Sequence, residues 1–509
     1  MASPVSRARA SLPFLVLAAV CALGVAVLWA QQGGPDWTSP HAIDAIIGFG
    51  EVIVGVLGIA ITVVAILVEL AANRYTPRIV GLFLKDRAST WFLFFLVATS
   101  LMILWIELSL GQGSRPPPFM VISAAILMSL SLLLLLPYFA YVFTFLTPSR
   151  VISTIRDRAI SGVDAAARRG ELVSGREELL GGVEELGELS LNAVQTKDKG
   201  IAIEAIDALS LIAIAHLERK RELPARWFDS TKLADEDQDF IALHPQMVAA
   251  LGERRTWAEM KVLRQYQAAL PTTLNHMHDV AHLIGIRSRR IAEVAIAQRD
   301  THAVELCLRF FNTYLRATIN ARDVRSTYNL LNEYRGVGEL LLEREQDEEQ
   351  FVELAERFKY YGQVAFNAKL AFLQETVAYD LSRLLQLAHE RGSGAHDRVL
   401  AILLELDREP DSDGGHQEAS LRGVRKAQSK LAAYYLSRKD RVAAHKIYED
   451  MAGEKRARLD GIRVELLEVK QAEYWEVTDR GINFDYLEPD QRRYLEQFFG
   501  WFEGTPTLS

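Results

Sequence analysis

Polar and apolar positions divide this chain near residue 150. Before that point four runs carry almost no charge: Leu12–Ala30, Val52–Val68 with Ala45–Phe49 extending it, Trp91–Ile106 and Phe119–Leu146. A helix rises 1.5 Å per residue, so about 20 apolar residues cross a hydrocarbon layer of ~30 Å. The pattern predicts membrane-spanning helices over about 12–30, 45–69, 91–110 and 119–146. Leu12–Ala30 follows Arg7 and Arg9. It exceeds the roughly 7–15 residues of a secretory-signal core and is read as a retained helix, with a cleaved signal as the alternative.

After residue 150 the period changes. "GIAIEAIDALSLIAIAHLE", "EVAIAQRDTHAVELCLRFFNTYLRATI" and "QVAFNAKLAFLQETVAYDLSRLLQLAHE" repeat apolar residues at three- and four-residue steps, the spacing of one helix face. No run alternates with period two. Four times a basic residue and an aspartate precede such a face, at Asp198, Asp300, Asp323 and Asp440. Aspartate is a favoured N-cap because its carboxylate accepts the unpaired N–H groups of the first turn. Each signature predicts a helix, a tight turn and a capped helix. "KLAAYYLSRKDRVAAHKIYEDM" resembles a tetratricopeptide unit, which implies an array of helix pairs. The expected fold is all-α: a four-helix transmembrane region, then a solenoid-like, tetratricopeptide-like domain. The expected divisions are residues 1–150, a helical connector over 151–222, a loop over 223–245, and a repeat-like region over 246–509 broken by a loop at 408–420.

Charge sets the orientation. Lys and Arg in short loops stay on the cytoplasmic side. Arg7 and Arg9 precede the first apolar run, and "QQGGPDWTSPHAID" has no Lys or Arg. "NRYTPRIVGLFLKDRAST" carries Arg74, Arg78, Lys85 and Arg87, whereas "GQGSRPPP" has Arg115 alone. The alternation predicts a multi-pass protein of the inner (plasma) membrane with both termini cytoplasmic. Those four basic residues act as topology anchors. The stretch "RYTPRIVGLFLKDR" followed by an apolar helix resembles bacterial predicted membrane proteins that carry the domain of unknown function 2254. The resemblance covers roughly Ile43–Arg158. It implies a bacterial protein with four N-terminal transmembrane helices and a cytoplasmic tail, and it implies no activity.

The chain carries a formal net charge of −8. Residues 1–150 hold eight Lys/Arg and six Asp/Glu, so the remainder holds −10. An acidic soluble part argues against nucleic acid, which needs a basic footprint. Cys21 and Cys307 lie in apolar contexts and predict neither a disulfide framework nor a metal site. In "NHMHDVAH", His278 and His282 share a helix face at a spacing that can hold a metal. The motif has no acidic base in the zincin position and His276 points elsewhere, so a packed or solvated face is the preferred reading. The sequence shows no phosphate loop, nucleophile elbow or paired cysteines. A catalytic site and a cofactor are therefore not expected.

Glu51 and Glu107 lie within or beside apolar blocks, in the outer half of the predicted bilayer span. Intramembrane carboxylates are costly and often mark ion pathways. The alternative is a helix-to-helix hydrogen bond for Glu51 and the membrane interface for Glu107. Gly48, Gly50, Gly55 and Gly58 predict close helix approach beside Glu51. Two functions follow. The first is a scaffold or sensor in the lipid bilayer whose helical repeats bind a cytosolic protein. The second is an ion channel or transporter gated by the cytoplasmic domain. It would be a homo-oligomer, since four helices make a narrow bundle.

Overall fold

The computed structural model describes residues 39–74, 79–84, 86–111, 117–344, 348–406, 414–474, 476–481 and 483–504. The predicted helix over 12–30 falls outside them, as do Arg78 and Lys85. The described residues are predominantly helical and contain no strand. They fall into two compact units, Met1–Thr154 and Ile155–Ser509.

In the first unit, α1 (Pro40–Arg74), a short α2 (Ile79–Leu84), α3 (Arg87–Gly111) and α4 (Pro118–Phe145) follow in order. α1 and α3 extend past the apolar runs that predicted them, and α4 coincides with its run to within a residue at each end. Ile46 and Ile53 of α1 cluster with Ile103 and Ile106 of α3 and with Val121, Ala124 and Met128 of α4. Val64 and Val68 cluster with Phe92, Leu96, Tyr138 and Val142. The start of α1 therefore meets the end of α3 and the start of α4, which makes neighbours antiparallel. Asp86 caps α3, accepting the Ser89 N–H at 2.9 Å. Thr99 and Ser131 join α3 to α4 at 3.3 Å. Phe92 stacks on Tyr138 with ring centroids 3.9 Å apart.

These three long helices are the apolar spans Ile43–Ala72, Arg87–Ser109 and Pro118–Phe145, and only 22–28% of each apolar window is buried. Apolar residues such as Phe49, Ile59, Trp91, Phe94, Trp105 and Phe119 stand exposed. Lipid is the solvent in which such surfaces are stable. A fourth helix, Lys199–Arg219, is also long and apolar enough to span, but 56% of its window is buried. It forms part of the core of the second unit.

The second unit comprises α5 (Pro148–Arg169, from Ile155 onward), α6 (Leu172–Gln195), α7 (Lys199–Arg219), three short helices α8 (Leu233–Glu236), α9 (Gln238–Ile241) and α10 (Pro245–Glu253), then α11 (Trp257–Thr273), α12 (His278–Ala297), α13 (Thr301–Asn320), α14 (Val324–Glu343), α15 (Glu348–Asn367), α16 (Ala371–Glu390), α17 (His396–Leu404), α18 (Gly414–Ser437), α19 (Arg441–Met451), α20 (Arg456–Glu468) and α21 (Pro489–Gly500). Helices alternate between two layers. In one layer α7, α12, α14, α16, α18 and α21 pack side by side; in the other α6, α11, α13, α15 and α17 do so. The result is a repeat-like stack of helical hairpins. Hairpins begin at His278, Val324 and Ala371. A tetratricopeptide repeats every 34 residues. Two helices of 20 residues each, α12 and α13, already exceed that length. The likeness to that repeat is confined to the capped turn.

The four capped turns form as the sequence pattern predicts. Asp198, Asp300, Asp323 and Asp440 accept the backbone N–H of Ile201, Ala303, Ser326 and Ala443 at 3.2, 3.0, 3.0 and 2.9 Å. Each aspartate N–H also bonds back to the carbonyl five residues earlier, as in Asp300 N to Ala295 O at 2.9 Å. The basic residue between adopts the left-handed conformation, with φ of 60° at Lys197, 57° at Arg299, 53° at Arg322 and 66° at Lys439. One residue thus closes the preceding helix and the next starts the following one. Lys369 forms the same turn without an aspartate, with Leu370 N bonded to Ala365 O at 2.9 Å.

Residues 223–245, expected as a loop, fold into a 3₁₀ turn (Ala225–Phe228) followed by α8 and α9. Trp227, Phe228, Leu233 and Phe240 are buried there, so apolar anchoring outweighs the local turn composition. The loop expected at 408–420 gives way to α18 at Gly414, with residues 407–413 outside the described set.

Candidate interaction groove

Glu51 and Glu107 lie at the same end of the first unit, beside Ile53 and Ile106 of one cluster. Both are exposed on the surface of the described helices rather than enclosed among them. The expected glycine contact holds at Gly50 alone, where an added Cβ would meet Ile103 Cγ2 at 2.5 Å. Gly48, Gly55 and Gly58 have nothing within 4 Å among the described residues. Of the topology anchors, Arg74 ends α1 and Arg87 begins α3.

His278 and His282 do lie on one face of α12, and that face packs on α14. His278 Nδ1 is 3.3 Å from Ser326 Oγ, and His282 Nε2 is 3.2 Å from Glu333 Oε1. Each histidine is thus engaged by the neighbouring hairpin. Among the described residues no group of three or more His, Cys, Asp or Glu side chains is arranged to hold a metal.

A third histidine, His216 of α7, anchors a sealed polar network. Trp227 Nε1 donates to His216 Nε2 at 3.0 Å, and His216 Nδ1 lies 2.7 Å from Glu259 Oε1. Because Nε2 accepts, Nδ1 carries the proton toward Glu259. Burial alone would raise the Glu259 carboxyl, but Lys220 and His216 hold it down to about 2. Lys220 also pairs with the capping Asp300. His216 and Glu259 are both fully buried, so the network joins α7, α11 and α13 and is closed to substrate.

The accessible chemistry lies on α14, α16 and α18. Arg325, Tyr328, Asn329 and Arg335 recur at helical spacing along α14. Phe372, Glu375, Tyr379 and Arg383 do the same on α16, and Lys426 and Lys430 on α18. These faces form a groove, and the described residues between α20 and α21 (469–474, 476–481 and 483–488) cross it as an irregular strap. Asp479 receives Arg325 at 2.8 and 2.9 Å and Asn329 Nδ2 at 2.7 Å. Its hydrogen bond to Arg325 brings its carboxyl down to about 2. Arg480 donates to Asp380 Oδ1 at 2.8 Å and to the Tyr328 carbonyl, with its guanidinium 4.1 Å from the Tyr328 ring centroid. Phe484 stacks parallel on Tyr379, centroids 4.8 Å apart, and meets Tyr328 edge-on at 6.1 Å. Asp485 accepts from Tyr379 Oη at 2.7 Å and from Lys426 Nζ at 2.8 Å. Lys430 donates to the carbonyls of Phe484 and Tyr486.

On either side of the strap a cleft remains open, about 810 Å³ toward Phe372 and Lys426 and about 360 Å³ toward Arg383 and Gln386. Burial pushes Glu375 up to about 7, reinforced by Asp485. Burial draws Lys430 down to about 8. Sequence reasoning did not single out these residues. The available signal was Lys426 and Lys430 one turn apart in "KAQSKLAAYY", and the loss of helical period in "VTDRGINFDYLEP".

The chain is thus a membrane protein with a helical, repeat-like unit. Residues 8–229 match the model of a family described as "Predicted membrane protein (DUF2254)". That match spans α1 to α7 and stops before the groove. No curated protein matches. Among solved structures the chain is similar to a "Circular tandem repeat protein with novel repeat topology and enhanced subunit contact surfaces". It is 13% identical, covers 91% of this chain and 97% of its own, and has a TM-score of 0.24, too low to define a shared fold.

Proposed function

We propose that this protein is a membrane-anchored scaffold or sensor whose helical unit lies in the cytoplasm and binds a cytosolic protein through the α14–α16–α18 groove. One observation carries the reading. The groove holds a non-helical segment through side-chain charges, ring stacking and lysine donation to carbonyls, with clefts left open beside it. Recognition of a protein segment uses these same interactions. Topology supports the cytoplasmic placement, since the basic loop at Asn73–Thr90 and the Arg150–Arg158 flank match the positive-inside pattern.

A photocrosslinking residue at Phe372, which is exposed at the groove, tests this in cells. The reading expects a discrete protein adduct that disappears with Lys426→Glu and is absent from a control position at Val442 on α19. No adduct, or the same adduct from both positions, would refute it.

A second reading, an oligomeric channel or transporter, is favoured by the exposure of Glu51. An exposed carboxylate in an apolar span is stable when it faces water, a partner helix or a proton. Purified protein in liposomes separates the two. Cation flux lost with Glu51→Gln supports conduction, whereas flux indistinguishable from empty liposomes removes it.

A further inference from the structure

We infer that the strap residues 476–481 and 483–486 are a resident occupant of a peptide-binding groove, displaced by an extended partner segment that presents an aromatic residue followed by a carboxylate. This rests on the scaffold reading and names the class of ligand the groove takes.

The argument begins with what the groove would present without the strap. Arg325, Lys426 and Lys430 would lose their partners Asp479, Asp485 and the two strap carbonyls. Tyr379 would lose its aromatic neighbour Phe484, and Tyr328 would keep only Phe372, 5.5 Å away. What remains is Arg325, Lys426 and Lys430 flanked by aromatic faces, with Lys426 still paired to Glu465 at 2.9 Å, Glu375 lining the same cleft, and Asp380 shared with Arg335 at 3.1 Å. The strap is complementary to that surface point by point. Asp479 and Asp485 meet the bases, Arg480 meets Asp380, and Phe484 meets the rings. An extended segment with the same order of charge and ring fits the same positions.

The strap is also held in a way that allows exchange. It joins α20 at one end and α21 at the other. Its hold is mostly through side chains, since Asn483 N to Ala472 O at 3.2 Å joins it only to itself. Val477 at its crest is fully exposed. The flanking clefts admit a competing chain before the strap has left. Displacement therefore proceeds by exchange of one set of ion pairs for another, and tethering makes the strap a competitor at high effective concentration.

A fluorescein-labelled peptide of sequence VTDRGINFDYL, copied from Val477–Leu487, is the probe. Its binding to the full-length protein in detergent micelles is read by fluorescence polarisation. The inference expects at least tenfold tighter binding to an Arg480→Ala/Phe484→Ala variant than to the wild type. Adding Lys426→Ala and Tyr379→Ala to that variant should abolish binding, as should replacing the peptide's phenylalanine by alanine. If the alanine pair loses helical circular dichroism, Asp479→Asn/Asp485→Asn keeps side-chain shape and carries the same expectation. Equal affinity for wild-type and strap variants, or no binding to any, would overturn the inference. Peptide binding without a groove adduct in cells removes the scaffold reading alone. An adduct without peptide binding removes this inference alone.

Discussion

Asp323→Ala should cost far more than Asp440→Ala, although the sequence presents both as the same cap. Asp323 Oδ1 accepts Ser326 N at 3.0 Å, and Oδ2 accepts Ser326 Oγ at 2.9 Å and Asn275 N at 2.8 Å. His278 Nδ1 stands 3.3 Å away. The Asp323 side chain is 1% exposed, against 30% for Asp440. Losing a cap costs about 1 kcal/mol. Stranding a buried donor adds roughly 1–3 kcal/mol. Asp323→Ala should therefore cost about 3 kcal/mol and Asp440→Ala about 1 kcal/mol. Burial alone would raise the Asp323 carboxyl, but the N–H groups of Ser326 and Asn275 lower it. A lowered carboxyl stabilises above its unfolded value and loses that contribution as pH falls through its folded value. The gap between the two variants should accordingly close in strong acid. Stacked hairpins need not unfold in one step, so the assay is hydrogen exchange of the amides around each turn. Equal deprotection of the 318–330 and 435–445 turns at neutral pH would refute the reasoning.

Glu375→Gln should remove a pH dependence. The carboxyl rises from 4.5 to about 7 on folding, facing Asp485 of the strap, Lys426 of α18 and Glu465 of α20. The raised value favours the folded state at pH below the unfolded value and the advantage is lost as pH rises through 7. At pH 8 the glutamine variant should be more stable by up to about 3 kcal/mol, with no difference near pH 4; parallel denaturation curves at both pH values would contradict this. Glu259→Gln should destabilise by about 3–5 kcal/mol, because it takes the charge from a buried pair, and an unchanged denaturation midpoint would show the network to be dispensable. Lys439→Gly should stabilise the α18–α19 turn by about 1 kcal/mol, since glycine enters the left-handed region without a Cβ clash; slower exchange of the Asp440 and Ala443 amides is the readout.

The three apolar spans among the described residues of the first unit were legible because uncharged runs of sufficient length have few other stable solutions. The capped turns were legible because lysine or arginine followed by aspartate combines a helix stop with a helix start over two residues. Helix Lys199–Arg219 was legible as a helix, but its burial was not, since its apolar content alone matches that of a span. His278 and His282 drew attention through spacing, whereas their partners Ser326 and Glu333 lie on a helix about 50 positions further on. The groove was the least legible part. Its complementarity pairs Arg325 with Asp479 and Asp380 with Arg480, separations of 154 and 100 residues, and no local pattern encodes such a pairing.

The central claim, a groove placed to meet a cytosolic protein, is tested most directly by thiol labelling in intact cells. Cys307 is fully buried and can stay, while Cys21 is replaced by alanine. A cysteine introduced at the exposed Tyr360 on α15 then reports the side of the membrane on which the helical unit lies. The account predicts no reaction with a membrane-impermeant maleimide in intact cells and full reaction once the membrane is permeabilised. Full reaction in intact cells would place the unit outside and contradict the account.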